Sequence, residues 1–210
     1  MYWYQWISLA ALIYCSLLLS CRFTGLLKRG APKDLSQKSG NVGKAVLYSY
    51  TAAMSPANKE SAYLHLPTFT AGLFFHSGTF LSILLFLWFL LSSFLSIEIP
   101  QLLSRILSAV LFITAVSGLS IFIKRAVKKE LREMSGFDDY FSNGITTLVQ
   151  VFTALYLLFP GTAVLYYIVI ALFFLWLPSG KTKHLLYFFL ARYHLGFFYG
   201  WRGTWPPKTT

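Results

Sequence analysis

The sequence predicts an all-α membrane protein, a five-transmembrane-helix bundle with its N-terminus outside and its C-terminus cytoplasmic. Three observations predict it. Of 210 residues, 56% are hydrophobic and only 12% charged, with a mean hydropathy of +0.60, whereas a soluble domain carries roughly twice that charge. Five apolar segments, about 3–20, 67–97, 102–123, 141–159 and 162–180, each approach or exceed the ~20 residues that cross the hydrocarbon. Finally, the basic residues sit almost wholly between the segments in an alternating pattern. The chain reads as a single membrane domain over 1–210.

The first segment, MYWYQWISLAALIYCSLLL, lacks the positive start and small-residue cleavage site of a signal peptide and is expected to be a retained helix. Trp3, Tyr4 and Trp6 suit an aromatic belt at the membrane interface. Cys15 and Cys21 match no metal or redox spacing and read as ordinary thiols. Segment 67–97 is about 46 Å long as a helix, so one end must protrude or tilt. Segments 141–159 and 162–180 are joined by Pro160-Gly161, a tight turn. Before them, MSGFDDYFSN offers Ser142 or Asn143 as a helix cap, with Asp138 and Asp139 near the positive end of the helix.

Charge sets the orientation. Cytoplasmic loop 21–66 holds Arg22, Lys28, Arg29, Lys33, Lys38, Lys44 and Lys59; cytoplasmic loop 124–140 holds five more basic residues, and tail 181–210 another five. With the N-terminus outside, only Arg105 of the 18 basic residues falls on the outer side, as the positive-inside rule demands. The net charge of +11 therefore calls for no nucleic acid; anionic membrane lipid and an acidic partner face account for it. The expected location is a bacterial or archaeal cytoplasmic membrane. Loop 21–66 begins rich in Gly, Pro, Ser and Lys, and its second half, GKAVLYSYTAAMSPANKES, is expected to pack against something.

Four histidines mark the candidate chemistry: His65, His76, His184 and His194. A histidine beside hydrocarbon is costly without a role, and low-spin haem iron takes an imidazole from each side. His65 and His76 fall on nearly one helix face, roughly 16 Å apart along the axis, and His184 and His194 would lie roughly 15 Å apart. Counting ~20 residues back from Ile97, and ~20 forward from Thr162, brings His76 and His184 to the same, cytoplasmic level. They are the expected axial ligands of a haem b. Gly72, one turn before His76, with Ser77 and Gly78 after it, would leave room for a porphyrin face. Lys181, Lys183 and Arg192 are candidate propionate contacts. His65 and His194 form a conditional second pair, beyond the hydrocarbon. The bland alternatives are a core or carbonyl-bonded His76, an interfacial His184, a turn contact at His65 and a solvated or partner-facing His194.

Two stretches resemble the cytochrome b (gamma) subunit of respiratory nitrate reductase and the related membrane subunits of heterodisulfide-reductase-like complexes. Phe75-His76-Ser77-Gly78 is similar to the family's Phe-His-x-Gly on its second span. Leu177-Pro178-Ser179-Gly180-Lys181-Thr182-Lys183-His184 resembles its Phe-Pro-Phe-Ser-Lys/Arg-Leu-x-His at the inner end of the fifth. A further stretch, YSYTAAMSPANKESAYLH, resembles bacterial relatives through its Lys-Glu-Ser and closing histidine. The resemblance implies that His76 and His184 ligate the haem nearest a cytoplasmic iron–sulfur subunit. The family's outer-haem ligands, ten residues after the first histidine and eighteen before the last, fall here on Phe86 and Tyr166, neither of which replaces histidine. Either one haem is held, or a second has moved to His65 and His194.

These readings lead to an electron-transfer anchor exchanging electrons between quinone, menaquinone above all, and an iron–sulfur partner. The rival is a haem-free anchor. No nucleophile–base pair or phosphate loop is apparent, and the seven acidic residues fall in loops or at segment ends, which argues against a transporter.

Overall fold

A computed structural model describes residues 1–30, 35–58, 62, 64–95, 97 and 99–207. Lys33, Lys59 and Lys208, and the Lys-Glu-Ser stretch at 59–61, lie outside them. The described chain is helical: α1 (Trp3–Lys28), α2 (Val42–Tyr50), α3 (Leu66–Leu95), α4 (Gln101–Val127), the short α5 (Lys129–Glu133), α6 (Phe137–Leu158), α7 (Ala163–Trp176) and α8 (His184–Trp201). Among the described residues there is no strand. Four helices, α1, α3, α4 and α6, are each long and apolar enough to cross a membrane. A fifth crossing is counted only when Pro160–Trp176 and Lys181–Trp201 are taken together as one interrupted span.

The chain divides into two units, Met1–Leu18 with Pro67–Thr182, and Leu19–Leu66 with Lys183–Thr210. The expected tail 181–210 contains an 18-residue helix.

In the first unit, α4 turns mainly small and polar residues inward and apolar residues outward. On α4 the buried positions are Ser108, Leu111, Thr114, Ala115 and Gly118, while Ile106, Ile113 and Val116 are exposed. Helices in lipid gain nothing by hiding leucine from leucine, so close approach of backbones and interhelical hydrogen bonds hold them together. Ser108 Oγ donates to the Ala154 carbonyl at 3.0 Å. At Gly118 a Cβ would lie 2.5 Å from the Phe75 ring. Leu85, Leu111 and Ala154 form the apolar centre, with Leu81, Phe89 and Leu157 against it. Gln5 joins α1 to the bundle, donating to Ser93 Oγ at 3.0 Å and to the Tyr167 hydroxyl at 3.3 Å.

Helix boundaries depart from the hydropathy reading where polar turns belong to the helix. α6 starts at Phe137, so neither Ser142 nor Asn143 caps it. Instead the Gly136 N–H donates to Asp139 Oδ2 at 3.1 Å, and Asp138 and Asp139 occupy the first turn, where their charge favours the helix N-terminus. The expected loop 124–140 is mostly helical, with α4 running to Val127 and α5 following it. Pro160–Thr162 is the expected tight turn.

The second unit contains a pair of helices held by glycine. A Cβ at Gly196 would lie 2.5 Å from Val46 Cα, and one at Gly200 2.5 Å from the Ala45 methyl and 2.9 Å from Val42 Cα. The spacing Gly196-x-x-x-Gly200 lets the α2 and α8 backbones touch. Ser49 Oγ donates to the Arg192 carbonyl at 2.8 Å, the Tyr50 hydroxyl donates to the Phe189 carbonyl, and Trp201 Nε1 donates to the Ser36 carbonyl at 2.8 Å. The second half of loop 21–66 does pack, and against the segment that hydropathy presents as a tail.

Candidate functional site

His76 lies on α3 between two different faces of that helix. Phe75 and Gly78 point into the first unit. Gln150, fully buried on α6, donates from Nε2 to the Phe75 carbonyl at 2.9 Å and to Thr79 Oγ1 at 3.0 Å. A Cβ at Gly78 would lie 2.5 Å from Thr114 Cβ and 2.6 Å from Gln150 Oε1. The room expected at Gly78 is therefore filled by protein. His76 itself is exposed, one residue round from Phe75, on the outward face that also carries Leu73, Phe80 and Leu84.

Gly72 stands one turn below His76 on nearly the same face, and a Cβ there would meet no atom within 4 Å. A flat ring can lie against the backbone at that point. The exposed imidazole and the open glycine lie on one outward face of α3, a geometry that leaves space for one face of a porphyrin.

His184 is the first residue of α8 and is exposed. It belongs to the second unit and His76 to the first; each is described within its own unit. His65 sits in a turn in the second unit, exposed, its N–H donating to the Ala62 carbonyl at 3.2 Å. His194, half-buried, is next to Tyr193 with ring centroids 5.6 Å apart. Among the described residues no three His, Cys, Asp or Glu side chains gather into a metal cluster.

The three basic candidates have different surroundings. Lys181 Nζ is 2.6 Å from Asp139 Oδ2, and its N–H donates to Asp138 Oδ1 at 2.9 Å. Arg125 closes the same cluster at 2.9 Å from Asp139 Oδ1. Asp138 Oδ1 also accepts from Ser142 Oγ at 2.7 Å, and Ser142 Oγ accepts from Trp176 Nε1 at 2.9 Å. Lys181 is therefore committed to a carboxylate, which weakens its assignment to a propionate. Lys183 precedes α8 in a 3₁₀ turn. The Arg192 guanidinium lies over the Phe188 ring at 5.7 Å.

Phe86 and Tyr166, at the positions of the family's outer ligands, are almost fully buried. They belong to a cluster of rings: Phe86 with Tyr167 at 6.3 Å and Phe174 at 5.2 Å, Tyr156 with Tyr166 at 4.8 Å, and Phe89 with both Tyr156 and Tyr166 at 4.9 and 5.8 Å. Aromatic side chains fill this end of the first unit.

No family model, no curated protein and no solved structure matches the chain. Sequence reasoning misses Gln150, although a lone amide within an apolar run is the same signal as a lone histidine. It also misses the Asp139 cluster, because pairing across the chain leaves no local pattern.

Proposed function

We propose that the chain is a haem-b-bearing membrane anchor that exchanges electrons between membrane quinone, menaquinone above all, and a cytoplasmic iron–sulfur subunit in a bacterial or archaeal cytoplasmic membrane. The observation that carries this reading is His76 beside Gly72 on an outward apolar face of α3. That face suits a planar hydrophobic group with an iron to ligate. His184 is the partner ligand by the depth count along the chain, with Lys183 and Arg192 as cations close to it in sequence. When bound, the haem would supply one-electron chemistry at a potential set by its ligands and surroundings. Gln150 donates to the Phe75 carbonyl just before His76, which holds that turn of α3 in place. His65 and His194 are proposed as ligands only for a second haem.

A pyridine haemochrome spectrum of the purified chain tests this. The expected result is b-type absorbance that is lost in both His76→Ala and His184→Ala, with the reduced haem oxidised by a menaquinone analogue. Absence of haem in the wild-type chain purified from haem-replete cells would instead establish the haem-free anchor. Unchanged haem content in either variant would remove that residue from the ligand pair. Half the haem lost in each of His65→Ala and His194→Ala would show that two haems are held.

A further inference from the structure

One side of α8 carries Gly196 and Gly200 and is closed against α2 at those two positions, while Phe189 and Tyr193 nearer the start of the helix stay exposed. The other side carries Tyr187, Phe188, Ala191, Leu195 and Phe198, whose neighbouring positions follow a helical stripe. Tyr187, Phe188, Leu195 and Phe198 are 37–46% exposed.

Cations border this stripe. The Arg192 guanidinium lies 5.7 Å from the Phe188 centroid and that of Arg202 3.7 Å from the Phe198 centroid. In the same unit Lys28, Arg29, Lys38 and Lys44 are exposed, and no described residue of the unit is Asp or Glu. Aromatic rings with guanidinium groups drawn along them form the pattern of side chains that bury their apolar part at the headgroup level and keep the charge toward phosphate. A unit whose described charged side chains are all basic is complementary to an anionic leaflet.

We propose that the Tyr187–Phe198 stripe of α8 is a membrane-surface element that seats on anionic phospholipid, its rings among the acyl-chain ends and Arg192 and Arg202 on the phosphates. This inference does not depend on haem.

The test uses the full chain with Cys15 and Cys21 replaced by serine and a nitroxide placed at Leu195→Cys, or in a second variant at Phe198→Cys. Each is reconstituted into nanodiscs of phosphatidylcholine alone or mixed equally with phosphatidylglycerol. Collision with oxygen and with a water-soluble nickel chelate is compared. The expected result is a several-fold loss of nickel access in the phosphatidylglycerol discs. High salt should reverse much of that loss, since mobile ions screen headgroup attraction, and Arg192→Gln with Arg202→Gln should diminish it. Equal nickel access in both lipids at both positions would overturn the proposal. So would shielding that arises only on adding an acidic protein, or only on raising the ratio of chain to disc, results that assign the stripe to a protein partner or to a second copy.

Discussion

At Gly78 helix α3 has no room for a methyl group, while one turn and a half earlier, at Gly72, it has room to spare. A Cβ at Gly78 would stand 2.5 Å from Thr114 and 2.6 Å from Gln150, whereas one at Gly72 would touch nothing within 4 Å. Gly78→Ala should therefore destabilise the chain by about 1–3 kcal/mol through overpacking, read as a lowered Tm in detergent. Gly72→Ala should leave the Tm level or raise it, since alanine is favoured over glycine in helices by about 1 kcal/mol. Equal effects at the two positions would mean that α3 is rotated from the orientation described. The same pair separates what the sequence can say about the site from what it cannot. His76 and its relation to Gly72 are legible, because a lone histidine in an apolar run has few inexpensive fates and helical periodicity relates the two positions, but its outward exposure is not. Gly78 reads equally well as porphyrin room, because small residues serve either to admit a ligand or to admit a neighbouring helix, and only the positions of Thr114 and Gln150 decide between them. Lys181 has the sequence signature of an anion contact, but its carboxylate lies 42 residues away at Asp139.

The elements show the same division. The apolar cores of α1, α3, α4 and α6 are legible from hydropathy, yet α6 begins four residues before the apolar run because Asp138 and Asp139 are part of its first turn. Helix α8 lies in the stretch that the charge pattern presents as a tail, although it is rich in apolar and aromatic residues. Its glycines at 196 and 200 resemble loop residues in isolation, and only α2 packed against them gives them a purpose. The Asp139 cluster joins the C-terminal end of α4, the start of α6 and the turn after α7 through Arg125 and Lys181. Asp139 is largely buried, its side chain 10% exposed, while Arg125 and Lys181 are more open at 31% and 59%. Solvent screening of the two cations limits the loss, but Asp139→Asn also weakens a charge-assisted bond to the Gly136 N–H. The expected cost is about 1–2 kcal/mol, seen as a lower Tm and as faster proteolysis around residues 128–136. Lys181→Met alone should cost less than Asp139→Asn; the reverse order would show that Arg125, not Lys181, is the minor partner.

Across the whole molecule, the distribution of charge makes a statement that no single contact makes. Basic residues concentrate in segments 21–66, 124–140 and 181–210, and Arg105, near the start of α4, stands apart from them. Cations near a membrane-crossing end resist translocation, so these three segments should share the cytoplasmic side, with Met1 and the Pro160–Thr162 turn on the other. Three single-cysteine variants in a Cys15→Ser, Cys21→Ser background test the arrangement: Gln37→Cys, Met134→Cys and Gly161→Cys. Gln37 and Met134 are exposed, and a Cβ at Gly161 meets nothing within 4 Å, so each thiol is reachable. In intact spheroplasts a membrane-impermeant maleimide should label Gly161→Cys alone; in inverted vesicles it should label Gln37→Cys and Met134→Cys. The result bears on the crossing number as well as on orientation, because Gly161 lies between α6 and α7. If Gly161→Cys is labelled from the same side as Met134→Cys, α6 does not cross, and the count of five fails at that helix. If all three report the expected sides, α6 crosses outward from Met134. The chain beyond Gly161 must then return to bring the basic residues of 181–210 to the cytoplasm. For that return α7 offers only 14 residues, about 21 Å of helix, short of the hydrocarbon thickness, so the Leu177–Gly180 break falls within the crossing or at its edge. A cysteine at Ser179 labelled from the cytoplasmic side would place the break at that edge, beside the start of α8.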